Sequence, residues 1–274
     1  MFGTGRRWRP ARRLARLLPF VALAACTSAI GVEEEAQIGD AYAAEIAAEL
    51  PLIRDPAAVE ELNRLGRALA QHADSTGRRY TFHLVDSPEV NAFAVPGGHV
   101  YVNAGLVEAA DELAELAGVL GHEIAHVTER HGLEQMEKRR GAGLLVNLAY
   151  LLMGREPGLL EQVAIEGGGA AIFAKYGRDA EREADLEAIE TLVAAGYHPE
   201  GMATFFEELL RTQDRQPGAV EQWFSTHPTS AERVREARAV IGTLGSLEEQ
   251  LVRDTPRYQR FRERVREIST AQAP

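Results

Sequence analysis

Of 274 residues only one, Cys26, is a cysteine. No disulfide can brace the chain from within, so the fold must rest on its apolar residues. These make up 45% of the sequence, enough for one sizeable domain. Long apolar runs are also missing. The runs at 17–25 and 144–153 fall well short of the roughly 20 residues a membrane-spanning helix needs. Positive charge is scarce: 30 Lys and Arg face 41 Asp and Glu, for a net charge of −11. Without the first 25 residues the balance falls to 24 against 41. Such an acidic body excludes nucleic acid and an anionic membrane surface as electrostatic partners. No internal repeat is present.

The positive charge that exists is unevenly placed. Arg6, Arg7, Arg9, Arg12, Arg13 and Arg16 come before any acid and lead into the apolar run 17–25. A charged segment followed by a short apolar one reads as a secretory signal, residues 1–25. It ends in Leu23-Ala24-Ala25-Cys26, similar to a bacterial lipobox, in which the chain is cleaved before the cysteine and acylated on it. Thr27 follows, not the aspartate that retains a lipoprotein at the inner membrane. The expectation is a periplasmic protein anchored to the outer membrane through Cys26, with its acidic body in solution.

The most informative residues are His122-Glu123-Ile124-Ala125-His126. On a helix, positions i and i+4 share a face, so two imidazoles can grip one metal ion from the same side. Glu123 then points toward the ion's open position, where it can take a proton from a water. Val119, Leu120 and Val127 make the flanks apolar. A chance polar cluster is least welcome in such a setting.

This kind of centre needs a third protein ligand. Arg178-Asp179-Ala180-Glu181-Arg182-Glu183-Ala184-Asp185 reads as the start of another helix. Glu181 and Asp185 share a face: one can ligate while the other accepts a ligand histidine's N–H and fixes its tautomer. Glu183 sits about 200° round the helix from Glu181, so both cannot face the metal. Arg178 either orients one of these carboxylates or lies on the surface.

Together, HEIAH and EREAD resemble the HtpX-like and CAAX-prenyl-protease-type zinc metallopeptidases, which are gluzincins. Two further motifs agree: Asn91-Ala92-Phe93-Ala94-Val95-Pro96-Gly97-Gly98, and Ser225-Thr226-His227-Pro228 with Arg233 following. The resemblance covers roughly residues 90 to 235. It implies one zinc per chain held by His122, His126 and Glu181, Asp185 behind a ligand, and Glu123 as catalytic base. It places His227 near the metal, either as oxyanion donor or as a zinc ligand in a latent state. His131, His99, His83, His72 and His198 lack ligand spacing and read as structural or exposed.

Periodicity and turn residues predict an α+β domain, mostly helical and zincin-like, with a small antiparallel sheet beside the active-site helix. Helices are expected at 32–50 and from Pro56 to about His72, then strands at 79–86, 90–95 and 98–103. The strand His99-Val100-Tyr101-Val102 is expected to present an edge to an extended substrate. Helix resumes from about Glu108 and stops near Gly132. Residues 141–176 read either as a buried helical hairpin or as a movable lid hinged at Gly167-Gly168-Gly169. Helices follow at 199–213 and 229–242. The protease domain spans 26–245, and 246–274 is a charged, peripheral helical tail, too short for the repeat array of the family's BepA-like branch.

By resemblance and compartment, the expected substrates are unfolded or misassembled envelope proteins, with outer-membrane proteins prominent. Two rival classes remain: an assembly chaperone with a structural zinc, and a hydrolase of peptidoglycan peptides. The oligomeric state is not legible in the sequence.

Overall fold

A computed structural model describes residues 30–138, 175–245 and 250–272. The expected signal segment, Cys26 and most of the glycine-rich stretch 141–176 lie outside the described residues. From Gly31 onward the described chain forms one unit. Its elements are α1 (Val32–Glu49), β1 (Leu52–Ile53), α2 (Pro56–Ala73), β2 (Thr81–Val85), β3 (Ala92–Val95), β4 (His99–Asn103), α3 (Ala104–Ala109) and α4 (Leu113–Thr128). After a helical stretch at 131–138 come α5 (Arg178–Ala194), α6 (Glu200–Arg215), α7 (Pro217–Thr226), α8 (Ala231–Thr243) and α9 (Pro256–Gln272). No helix among the described residues is long and apolar enough to cross a membrane.

The α+β expectation holds, with one change to the sheet. It is mixed, in the order β1-β2-β4-β3, and β2 pairs with β4 in parallel. The β3–β4 hairpin turns through Gly97 and Gly98, whose φ of 89° and 100° suit glycine alone. β4 then fills the gap between β2 and β3, so it is a central strand and not the expected edge. The reason lies in its side chains. Val100 and Val102 join Phe82 and Leu84 in the main core, while Tyr101 packs on the other face with Phe93, Val95 and Ile46. A strand buried on both faces belongs in the interior of a sheet. The edges are β1 and β3.

Around the sheet, each helix follows its apolar stripe. α2 is capped by Asp55, whose side chain accepts from the Ala58 amide at 3.0 Å, and has proline in its first turn. Its Leu62, Leu65 and Leu69 face the core. The helix expected from Glu108 to His131 is divided instead. α3 ends at Ala109, and α4 starts afresh under a capping box formed by Glu112 and Glu115. α4 ends at Thr128, not at Gly132. Arg130, with φ of 60°, turns the chain before the helical stretch that begins at His131.

Composition hid one helix and the buried face of another. No helix was expected between 213 and 229, yet proline opens α7, which buries Val220 and Trp223. The charged tail is helical as expected but not peripheral: α9 buries Tyr258, Phe261 and Val265 in the main core. It also closes the end of α3. The Tyr258 hydroxyl donates to the Ala110 carbonyl at 2.7 Å, and Arg262 donates to that of Glu108 at 2.7 Å. These carbonyls have no intrahelical partner of their own. Replacing Tyr258 with alanine should therefore cost about 3–5 kcal/mol in urea unfolding, as for other buried aromatic residues. A cost near that of an exposed substitution, within about 0.5 kcal/mol, would place the tail outside the cooperative core.

Candidate metal centre

α4 is buried almost throughout, including His122, Glu123 and His126. α5 lies along it, and the first turns of α5 carry Glu181 and Asp185 inward. α7 ends at Thr226, so His227 enters the same space from the helix terminus, its amide bonded to the Trp223 carbonyl at 2.7 Å. Trp223, itself held by Thr229, lies beside the His227 ring.

One ligand atom from each of His122, His126, Glu181 and His227 falls within 4.8 Å of the others, and all four residues are buried. Nε2 of His122 lies 3.1 Å from Nε2 of His126 and 3.3 Å from Nδ1 of His227. Oε1 of Glu181 lies 3.5 Å from Nε2 of His126 and 3.1 Å from Nδ1 of His227. Donors at 2.0–2.1 Å from a tetrahedral ion stand roughly 3.3–3.4 Å apart. These four separations are close to that spacing, and an imidazole and carboxylate set suits zinc. Oε1 of Glu123 is buried without a hydrogen-bond partner among the described residues, 3.4 Å from Nε2 of His227. Four buried ligand atoms thus converge beside Glu123, and a cation would satisfy their lone pairs. The residues present fit one zinc ion.

The charges are tuned accordingly. Burial and the nearby Glu181 carboxylate push the Glu123 carboxyl above its ordinary value, against the pull of His227 and His122. Burial drives His126 well below its ordinary value, toward the neutral form a ligand needs. Burial would raise Glu181 too, but His227 and His126 outweigh it and hold the carboxylate ionised. His227 is raised, because Glu123 and Glu181 outweigh the burial that opposes its charge.

Behind the cluster, Nδ1 of His122 lies 3.0 Å from Oδ1 of Asp185. Asp185 is gripped in turn by Arg233, with Nε at 2.8 Å and a terminal nitrogen at 2.7 Å. The same guanidinium bonds to Oε2 of Glu181 and lies over the Phe206 ring. Arg178, expected as a possible orienting residue, is exposed at the start of α5, with no ion pair among the described residues. It sits on the first turn of α5 with its side chain in solvent. Arg233 does the orienting. The sequence showed it only as a residue trailing the His227 motif, and nothing in its spacing tied it to α5. Of the two expectations for His131, structural or exposed, the structural one holds: its ring is buried, with Nδ1 2.8 Å from Nδ1 of His126. Tyr176, not singled out in the sequence, stacks on His126 at 3.9 Å between centroids.

β3, the edge strand, runs beside α4, and the Ala94 amide reaches Glu123. The expected substrate strand, His99 to Val102, is one position removed, screened from the pocket by β3. His99 bonds instead to His83 at 3.1 Å and Asp40 at 3.0 Å.

Arg233 is the cation facing two buried carboxylates, so Arg233→Met should destabilise the metal-free protein by about 3–5 kcal/mol. Chemical unfolding after chelation reads this directly. A change under about 1 kcal/mol would mean that Glu181 and Asp185 need no cation there.

Comparison with known proteins agrees with the site. Residues 56–241 match the profile described as Peptidase family M48. The chain is 33% identical over 217 residues to the beta-barrel assembly-enhancing protease of Escherichia coli (strain K12), covering 77% of this chain and 44% of that protein. It is 30% identical over 188 residues to Metalloprotease YcaL of the same organism, covering 67% of this chain and 70% of the relative. It is 30% identical over 158 residues to the mitochondrial metalloendopeptidase OMA1 of Schizosaccharomyces pombe, covering 58% and 45%. The chain thus spans less than half the length of the first of these relatives. Because the matched profile contains the whole His122–His126–Glu181–His227 cluster, the chain belongs to peptidase family M48, whose members are zinc metallopeptidases.

Proposed function

We propose that this metalloendopeptidase works in the bacterial envelope, anchored at Cys26, and cuts unfolded or misassembled proteins there. The observation that carries the reading is the buried Oε1 of Glu123, without a hydrogen-bond donor among the described residues and 3.4 Å from Nε2 of His227 in a cluster of four buried ligand residues. A carboxylate raised by burial, with a free lone pair beside a cation site, is suited to take a proton from water and return it. His122, His126 and Glu181 would hold the ion. Zinc in such a site supplies Lewis acidity toward a carbonyl and a water. Glu123 removes the water's proton as the peptide carbonyl is attacked, then delivers it to the leaving amine.

His227 takes two parts in this reading. With Nδ1 among the four donor atoms, it completes the ligand set in a resting form. Once its ring turns out of that set, its N–H can donate to the developing oxyanion. Within the described residues β3 pairs only with β4, so an extended peptide can add to its other edge by backbone hydrogen bonds. Recognition through main-chain groups favours segments that are unfolded over any particular sequence. The names of the relatives, one of them a beta-barrel assembly-enhancing protease, support an envelope role. The Leu23-Ala24-Ala25-Cys26 motif supports lipid anchorage.

The test is a soluble form beginning after Cys26, incubated with denatured casein and, separately, with purified sacculi. Casein should be degraded, chelation should stop the cleavage and added zinc should restore it. Glu123→Gln should lower the rate by roughly 10²–10⁴-fold, the range for a general base, while still binding one zinc. Wild-type rates in that variant, or cleavage of sacculi alone, would overturn the reading.

A further inference from the structure

The two histidines of α4 differ in how they are held from behind. His122 has Asp185 at its Nδ1, and Arg233 fixes Asp185. Among the described residues, His126 has no acid against its Nδ1. Its Nδ1 faces Nδ1 of His131 at 2.8 Å, and Nε2 of His131 lies 3.2 Å from Oε2 of Glu183. We propose that His131 and Glu183 form a positioning relay that sets the tautomer and ring orientation of His126. The proposal rests on the metal centre read above.

The direction of the relay follows from donor and acceptor needs. Nε2 of His126 faces His122 and Glu181 within the cluster, so it must keep its lone pair free for an ion. The ring's proton then resides on Nδ1 and donates to His131. Nδ1 of His131 must accept, which puts that ring's proton on Nε2, where it donates to Glu183. A carboxylate can only accept when ionised, so Glu183 is the terminus that gives the chain its sense. Neither tautomer can reverse without leaving two donors or two acceptors face to face.

Local geometry supports a role for this pair beyond filling space. His131 follows His126 by five residues, a spacing that does not share a helix face. It reaches back only because α4 ends at Thr128 and Arg130 turns the chain at φ of 60°. Tyr176 stacks on the His126 ring, leaving rotation about the ring plane to be set by the bond at Nδ1. The side chain of Glu183 is 58% exposed, so the acid is not required to fill the core. α5 thus supplies three acids with three placements: Glu181 in the cluster, Asp185 behind His122, and Glu183 behind the partner of His126.

Outer partners of ligand histidines are worth roughly 10–100-fold in metal affinity. The experiment measures the zinc dissociation constant by competition with a chromogenic chelator, and the visible spectrum of the cobalt-substituted protein. His131→Phe should weaken zinc binding by roughly 10–100-fold and alter the cobalt bands. His131→Asn, whose amide oxygen stands where Nδ1 accepts, should recover most of that loss. Glu183→Ala, at an exposed position that leaves the fold intact, should weaken binding several-fold, and Glu183→Gln less. Wild-type zinc affinity and cobalt spectra in His131→Phe and Glu183→Ala would overturn the relay while leaving the metal centre standing. No zinc binding by the wild-type chain would instead overturn the centre itself, and the relay with it.

Discussion

One guanidinium carries the electrostatics of the centre. Arg233 spans Glu181 and Asp185, two carboxylates from one face of α5 that lie out of contact with water. Without a cation between them, like charges four residues apart on a buried helix would repel and protonate. Glu181 is held ionised chiefly by His227 and His126, and Asp185 by His122 together with Arg233. Arg233 reaches both acids because α8 begins at Ala231 under a Ser230 cap, which aims its first turn at α5. The loop that sets this turn is the one that carries His227. The motif Ser225-Thr226-His227-Pro228 therefore delivers two things: a ring to the cluster and, six residues on, the guanidinium that bridges Glu181 and Asp185.

The parts of the site set by helix periodicity are legible in the sequence. His122 with His126, and Glu181 with Asp185, lie four apart on helices whose apolar flanks are plain. Spacing on one helix is a local property, and no tertiary knowledge is needed to read it. The parts that depend on chain direction at a helix end are not legible in that way. His131 sits beyond the end of α4, and only the left-handed Arg130 returns it to His126. Arg233 belongs to a helix whose crossing with α5 no single-chain pattern reveals. The error over Gly132 has the same root, since the glycine was read as a stop while Arg130 made the turn.

The sheet shows the converse case, in which an available pattern was weighed wrongly. His99-Val100-Tyr101-Val102 is apolar at alternate and intervening positions alike, the mark of a strand covered on both faces. Such a strand is an unlikely edge. β3 is short and ends at the glycine turn, and within the described residues only β4 pairs with it. The tail misled for a related reason. Arg257, Arg260, Arg262, Arg264 and Arg266 dominate the composition of α9, while its burial depends on Tyr258, Phe261 and Val265 at helical spacing. Average charge masked an apolar stripe.

A metal site on one helix pair is only as rigid as the contact between those helices. α4 and α5 meet closely along their length: a Cβ on Gly121 would lie 3.4 Å from that of Ala188, ordinary contact with little space to spare. Lower down, the Thr128 hydroxyl donates to Glu187 of α5 at 2.5 Å. Gly118 is tighter still, since a Cβ there would lie 2.8 Å from the Met202 backbone of α6. These approaches set how closely α4 lies to α5 and α6, and so where the backbone of Glu181 stands from the two imidazoles. Ligand spacing is thus set by backbone packing, and ring orientation by the partners behind each ring. Two separate constraints act on two separate degrees of freedom, which is why a change behind a histidine can alter metal affinity without loosening the helix pair.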